Sequence, residues 1–217
     1  SVSINTVVLN AAGEVISEDY RRTHGEPLPT ALSILRELQS KFSDSQFRLA
    51  AFTGIGGKLP AQTLGGVFIN EVIAQARGTF SFLPQARTVI DMGGEDAKLI
   101  LVDEDPQGGL VITDFAMNTV CAAGTGSFLD RQAGRLGIPI EDFGSFALKW
   151  LHPVRIAGRC AVFAESDMIH KQQMGCSTED IIYGLCEALV RNYLGNVGKG
   201  KDIREKVVFQ GGVAANA

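Results

Sequence analysis

The sequence predicts an α/β fold: mixed sheets covered by helices, in two lobes divided near Pro84, residues 1–84 and 85–217. Three observations lead there. Each part opens on two apolar, β-branched runs joined by a turn, the signature of paired strands. Each then continues into stretches whose apolar residues recur at helical spacing, and strands followed by crossover helices give sheets whose faces need a helical cover. The 217 residues, 45% hydrophobic and 20% charged, are enough to bury such cores.

Residues 4–9 read as the first strand, 10–14 as a turn around Gly13, and 15–20 as the returning strand. Leu32, Ile34, Leu35 and Leu38 give residues 29–42 a helical period. Residues 48–52 form a short strand ending in Thr53-Gly54-Ile55-Gly56-Gly57, and a helix is expected over 62–77. After Pro84 the pattern resets, with strands at 88–91, 97–102 and 110–115 separated by tight turns. Helices follow at 122–136, 141–150, 160–174 and 178–194, and a last strand, 206–209, runs into Gly211-Gly212.

Several function classes are excluded early. With 20 Lys+Arg against 24 Asp+Glu the net charge is −4, so no basic excess exists to grip a phosphate backbone, and no nucleic-acid partner is expected. No apolar run approaches the roughly 20 residues of a membrane-spanning helix, and the first ten residues lack a basic signal-peptide start. Four cysteines in this length are too few for a disulfide scaffold. The expectation is a cytoplasmic protein with no membrane partner.

The 25 glycines carry the information. Three segments share one plan, a buried strand, then small residues, then a turn or helix: Asp91-Met92-Gly93-Gly94-Glu95-Asp96, Ala122-Ala123-Gly124-Thr125-Gly126-Ser127, and Gly211-Gly212-Val213-Ala214-Ala215-Asn216. Glycine lets backbone N–H groups approach an oxyanion, and a helix N-terminus adds partial positive charge. Neither a P-loop nor a dinucleotide fingerprint is present. An acid at a strand end beside two glycines suits a Mg²⁺–phosphate site, which makes Asp91 the candidate metal ligand. Asp96 and Lys98 follow it, pairing a metal-side acid with a phosphate-side cation as ATP chemistry requires. Each loop read alone is also consistent with a plain tight turn. Three of them in a two-lobed chain predict a cleft with phosphate loops on both walls.

Cys121 and Cys160 both fall at expected helix N-termini, where the helix dipole favours a thiolate or an anionic cluster. Neither belongs to a Cys-x-x-Cys pair, so one chain alone does not make a zinc or ferredoxin site. Two ligands per chain complete a four-cysteine site only across a two-fold dimer; the competing reading is two buried small hydrophobes. Cys186 lies on the apolar stripe Ile182, Leu189, Val190, Tyr193, and Cys176 adjoins Ser177 and Asp180, which look like a helix cap; both are assigned to structure. His24, His152 and His170 lack metal-ligand spacing, and no nucleophile motif appears.

Taken together, residues 89–98 (VIDMGGEDAK), 115–129 (FAMNTVCAAGTGSFL), 160–167 (CAVFAESD) and 210–216 (QGGVAAN) resemble the ATPase family of 2-hydroxyacyl-CoA dehydratase activators and benzoyl-CoA reductase ATPase subunits. The resemblance runs in order along essentially the whole chain. It implies an actin-like ATPase fold of two ribonuclease-H-like lobes. It also implies a homodimer holding one 4Fe–4S cluster through Cys121 and Cys160 of each copy. ATP hydrolysis with Mg²⁺ would drive one low-potential electron, received from a donor such as ferredoxin or flavodoxin, into an acyl-CoA dehydratase or reductase partner. By the same resemblance Asp91 and Asp96 are catalytic, and Asp91, Gly93, Gly94, Asp96 and Lys98 line the Mg²⁺–phosphate side. Gly211 and Gly212 form the adenosine-side loop, and Gly124, Thr125 and Gly126 lie between cluster and nucleotide.

Departures shape the remaining expectations. Ser1, Ser3 and Asn5 match the second half of the family's Gly-Ser phosphate turn, with the preceding acidic strand absent from this sequence. Asn5 stands where many members carry Lys, and Glu95 where many carry Gln. The family's closing helix and strand are absent after Ala217, so the chain is expected to be a fragment truncated at both ends. The alternatives are a small-molecule kinase of the same fold, a non-catalytic scaffold, and zinc in place of the cluster.

Overall fold

The computed structural model describes residues 2–118 and 122–216. The chain forms two compact units, Ser1–Ala74 and Gln75–Ala217.

In the first unit β1 (Ser3–Leu9) pairs antiparallel with β2 (Val15–Arg22), from Ser3 opposite Arg22 to Val8 opposite Ser17. Asn10 closes their turn: its Oδ1 accepts from the amides of Ala12 and Glu14, and Gly13 takes φ +83°. The next element is α1 (Pro27–Lys41), which starts on a proline, where a missing N–H costs nothing. Arg21 on β2 donates to Ser33 and Glu37 of this helix, so the hairpin and α1 hold together through one guanidinium. A second, two-stranded sheet pairs β3 (Ala51–Phe52) in parallel with β4 (Val67–Phe68) across α2 (Lys58–Thr63).

The continuous helix expected over 62–77 is broken in the structure. Helix α2 stops at Thr63, Gly65 turns with φ +65°, and Gly66 lies so close to Ala50 that a Cβ would stand 2.6 Å from its carbonyl. Strand β4 follows, and only then α3 (Glu71–Phe82). Apolar spacing on both sides of the glycine pair is helical, but the pair itself permits close backbone approach and ends the helix.

The second unit is built on a four-stranded sheet in the order β7-β6-β5-β8, with β5 (Thr88–Met92), β6 (Ala97–Glu104), β7 (Leu110–Asn118) and β8 (Val207–Gln210). β5, β6 and β7 form an antiparallel meander, and β8 returns parallel to β5, ending with Gln210 opposite Asp91. Residues 97–102 of β6 are buried on both faces, as an interior strand requires. The cover is α4 (Gly126–Leu136), α5 (Ile140–Ala147), α6 (Ala161–Gln173) and α7 (Thr178–Asn196).

Helix α7 is the spine of this core. Ile181, Ile182, Leu185, Ala188, Leu189 and Tyr193 are all buried along it. Cys186 and Cys176 pack against the same cluster, and burial pushes the Cys186 thiol up to about 11, which keeps it protonated. Val190 stands at the edge of the stripe and is half exposed. The expected cap is present: Ser177 is the N-cap residue and accepts from the Asp180 amide at 3.2 Å. Asp180 serves a further purpose, since its Oδ1 accepts from the amides of Leu151 and His152 at 2.8 and 2.7 Å, fixing the segment after α5. Gly184 is required on the same helix, because a Cβ there would stand 2.3 Å from the Val154 carbonyl.

These bonds make a pH-dependent contribution. The amide donors, that of His152 foremost, hold the Asp180 carboxyl below its ordinary value of 3.8. A carboxylate with a depressed folded pKa stabilises fully above the unfolded value and loses that contribution as pH falls through the folded one. Asp180→Asn is therefore expected to lower the urea midpoint at pH 7, with the gap to wild type closing below about pH 4. An equal gap at pH 7 and pH 3 would show that the charge is not what these amides use.

Candidate functional site

The tight β5–β6 hairpin sets the chemistry. Asp91, the fourth residue of β5, lies opposite Lys98 in the strand register, and the Gly93 amide donates to the Asp96 carbonyl at 2.9 Å to close the turn. Two carboxylates and one ammonium thus converge from eight positions of sequence, Asp91 to Lys98. Lys98 Nζ lies 2.8 Å from Asp96 Oδ1 and 3.4 Å from Asp91 Oδ2. Lys98 is 2% exposed and Asp91 5%, while the Asp96 side chain is 14% exposed, so a largely buried charge is paired at the edge of solvent, the condition under which buried charges are tolerated.

Helix α3 adds a partner the sequence did not announce. Gln75 Nε2 donates to Asp91 Oδ2 at 2.9 Å, while its Oε1 is buried without a hydrogen-bond partner among the described residues. One turn on, Thr79 Oγ1 donates to Gln210 Oε1 at 3.0 Å, at the end of β8. The available signal was two polar residues four apart beside the buried Val72 and Ala76, a polar stripe on an apolar helix face.

The three glycine loops meet at this hairpin. The amides of Gly126 and Ser127, at the start of α4, donate to the carbonyls of Gly93 and Gly94, both at 2.8 Å, and Ser127 Oγ also donates to Gly94. A Cβ on Gly126 would stand 3.1 Å from the Gly93 carbonyl. From β8, Gly211 turns with φ +94°, and a Cβ there would fall 2.4 Å from the Met92 carbonyl and 3.0 Å from Asp91 Oδ1. Val213 then donates its amide to Met92 at 3.2 Å. Asn216 anchors the far side of this loop to α5, accepting from the Gly144 amide at 2.9 Å and donating to the Ile140 carbonyl.

Asp91, Gly93, Gly94, Asp96, Lys98, Gly126 and Gly211 are therefore brought together, with Gly124, Thr125 and Gly212 adjoining them on the same loops. Ser3 and Asn5 lie in the first unit, on β1 opposite Arg22 and Tyr20, with Asn5 exposed. Ser1 and Cys121 lie outside the described residues. Cys160 is a partly buried free thiol and the N-cap residue of α6. No group of three or more His, Cys, Asp or Glu gathers to hold a metal ion among the described residues. Nor is any helix among them long and apolar enough to cross a membrane. A buried acid at a strand end, a neutralising lysine and Cβ-free loops suit a triphosphate with a divalent cation, which is usually held by one or two carboxylates plus phosphate oxygens.

The chain is similar to known proteins along its whole length. The BadF/BadG/BcrA/BcrD ATPase family matches residues 3–217. The (R)-2-hydroxyglutaryl-CoA dehydratase activating ATPase of Acidaminococcus fermentans is 33% identical over 220 residues, covering 100% of this chain and 81% of that protein. The 2-hydroxyisocaproyl-CoA dehydratase activator of Clostridioides difficile is 35% identical over 149 residues, 69% of this chain, and the match spans only 54% of the activator's length. In three dimensions the chain superposes on A. fermentans (R)-2-hydroxyglutaryl-CoA dehydratase component A with a TM-score of 0.88 at 30% identity, over 100% of this chain and 81% of that one. The C. difficile activator with bound ADPNP gives 0.85 at 28% identity, over 100% and 78%.

The buried ion cluster has a measurable consequence. Lys98→Met leaves two carboxylates without their cation and is expected to cost ~3–5 kcal/mol of unfolding free energy in Mg²⁺-free buffer, the range for breaking a buried pair. A loss under ~1 kcal/mol by urea denaturation would mean that water already screens Asp91 and Asp96.

Proposed function

The chain belongs to the BadF/BadG/BcrA/BcrD ATPase family and has the actin-like ATPase fold of its activators, and on that premise we propose that it is an ATP-dependent electron-transfer activator. In this reading two copies share one 4Fe–4S cluster and pass a low-potential electron to a 2-hydroxyacyl-CoA dehydratase or a benzoyl-CoA reductase-type partner. A donor such as ferredoxin or flavodoxin resupplies it. The observation that carries the ATPase part is the buried Asp91–Lys98–Asp96 cluster at the meeting point of three glycine loops.

The residues fit the groups the reading requires. Gln75 and Lys98 both hold Asp91 Oδ2, while Oδ1 lies toward the Gly211 turn, leaving that side of the carboxylate to a hydrated Mg²⁺. Lys98 offsets one of the two carboxylate charges, which lessens the site's repulsion of phosphate and leaves the remaining negative charge for the divalent cation. Gly93, Gly94, Gly211 and Gly212 let the nucleotide approach backbone, with no Cβ to push it off. For the cluster, a thiol at a helix N-terminus meets partial positive charge suited to an anionic iron–sulfur centre, as Cys160 does on α6. By resemblance the second ligand is Cys121, and two thiols per chain mean that the four ligands of a 4Fe–4S cluster call for a second copy. When bound, the cluster supplies one-electron chemistry that no side chain here can.

Two tests bear on this. Asp91→Asn is expected to suppress Mg²⁺-dependent ATP turnover by roughly 10–100-fold, the range for loss of an outer-sphere metal partner; undiminished turnover would remove Asp91 from the metal site. In anaerobically purified protein about four irons and four acid-labile sulfides per dimer are expected, lost in Cys160→Ser and retained in Cys186→Ser. The reverse pattern would overturn the ligand assignment, and iron-free wild type would overturn the cluster.

A further inference from the structure

Asn192 stands on the buried face of α7, 4% exposed, in the interior of a helix where asparagine is a poor former. A carboxamide so placed costs free energy unless it is bonded, and its bonds go to two particular places. Its Nδ2 donates to the Gly158 carbonyl at 2.6 Å, two residues before Cys160. Its Oδ1, which also accepts from Asn196 Nδ2 at 3.1 Å, lies so close to Gly124 that a Cβ there would stand 2.9 Å away. Gly124 is the third residue after Cys121.

Both glycines are thus pressed against one turn of α7. A Cβ on Gly158 would stand 2.9 Å from the Ala188 carbonyl, one turn before Asn192. Beside it, Arg191 Nη2 donates to the Ile156 carbonyl at 2.8 Å, and the Ala157 amide donates to Asp167 Oδ2 at 2.8 Å, so the segment entering Cys160 is tied at successive residues. Asn192 therefore touches both Gly158, before Cys160, and Gly124, in the loop at the start of α4.

We propose that Asn192 is a positioning residue for the shared cluster: its carboxamide sets the separation between the Gly124 and Gly158 backbones and hence where the Cys160 thiol stands. This rests on the cluster reading above. An aliphatic residue of similar size would fill the space but could not hold the Gly158 carbonyl. A side chain on Gly124 would push the two segments apart.

The experiment is anaerobic reconstitution of the full chain with iron and sulfide, followed by iron per dimer, the paramagnetic spectrum of the reduced cluster, and far-ultraviolet circular dichroism. Asn192→Ala is expected to lose at least half of the bound iron, or to alter the spectrum, with native circular dichroism. Gly124→Ala is expected to do the same from the opposite side. The double variant should retain more iron than the two single losses multiply to, because the new methyl enters the space the carboxamide vacated. Should Asn192→Ala fail to fold, Asn192→Asp, which keeps the volume but removes the donor, is expected to show the loss. Full iron and an unchanged spectrum in a folded Asn192 variant, or independent losses in the double variant, would overturn the proposal while leaving the cluster intact. Iron-free wild type would instead sink the cluster reading and this proposal with it.

Discussion

A single buried ammonium organises the second unit. Lys98 belongs to β6, an interior strand buried from Ala97 to Val102, and its two carboxylates offset the cost of burying a charge there. Its backbone is committed as well, because the Tyr193 hydroxyl donates to the Lys98 carbonyl at 2.9 Å. Burial, with the Asp91 charge nearby, pushes the Tyr193 phenol well above its ordinary value, so it stays a hydrogen-bond donor throughout the physiological range. Sheet, spine helix and acidic cluster therefore close on one residue. Hydrophobic packing alone would leave the sheet free to slide by small amounts, whereas a buried charge with fixed partners specifies one arrangement.

The loops around that residue close only where side chains are absent. Gly126 lets the start of α4 reach the carbonyls of Gly93 and Gly94, and Gly211 lets the chain leaving β8 pass over Met92. The α4 amides that face the hairpin are used as braces, donating to loop carbonyls. A helix N-terminus spent in this way rigidifies a neighbouring loop and leaves that loop's own backbone to meet the ligand. The same economy appears at Asn216, whose carboxamide satisfies one donor and one acceptor of α5 and thereby fixes where the Gly211-Gly212 loop ends.

What the sequence revealed and what it hid divide by range. Asp91, Asp96 and Lys98 are close in sequence, so a short hairpin with glycines at its tip was enough to place them together. Cys160 at a helix start, and the α7 stripe through Ile182 and Leu189, follow from local periodicity and were equally readable. Gln75 reaches Asp91 across 16 residues, Asn192 reaches Gly158 across 34, and Asn216 reaches Gly144 across 72. Gln75 and Asn192 belong to no motif and Asn216 only closes one, and the partner of each is a backbone or carboxylate atom that only the tertiary fold brings near. The break at Gly65-Gly66 was hidden for a different reason. Helical spacing on either side outweighed two glycines whose purpose, close contact with Ala50, is itself non-local.

Adjacent residues of α7 are committed to different segments of the unit: Asn192 to Gly158, before Cys160, and Tyr193 to Lys98, in the acidic cluster. On a helix of 19 residues buried along most of its length, two consecutive positions cannot move independently. The distance from the Lys98 carbonyl to the Gly158 carbonyl is therefore fixed by hydrogen bonds at both ends and by helix geometry between. If nucleotide at Asp91 is to alter the surroundings of Cys160, stretching this block is the most expensive way to do it. Rotation of whole packed units keeps every one of these bonds, which is why switching proteins move rigid bodies about flexible connections. On the proposed reading, the hydrogen bonds of Asn192 and Tyr193 hold the acidic cluster and the approach to Cys160 as one block.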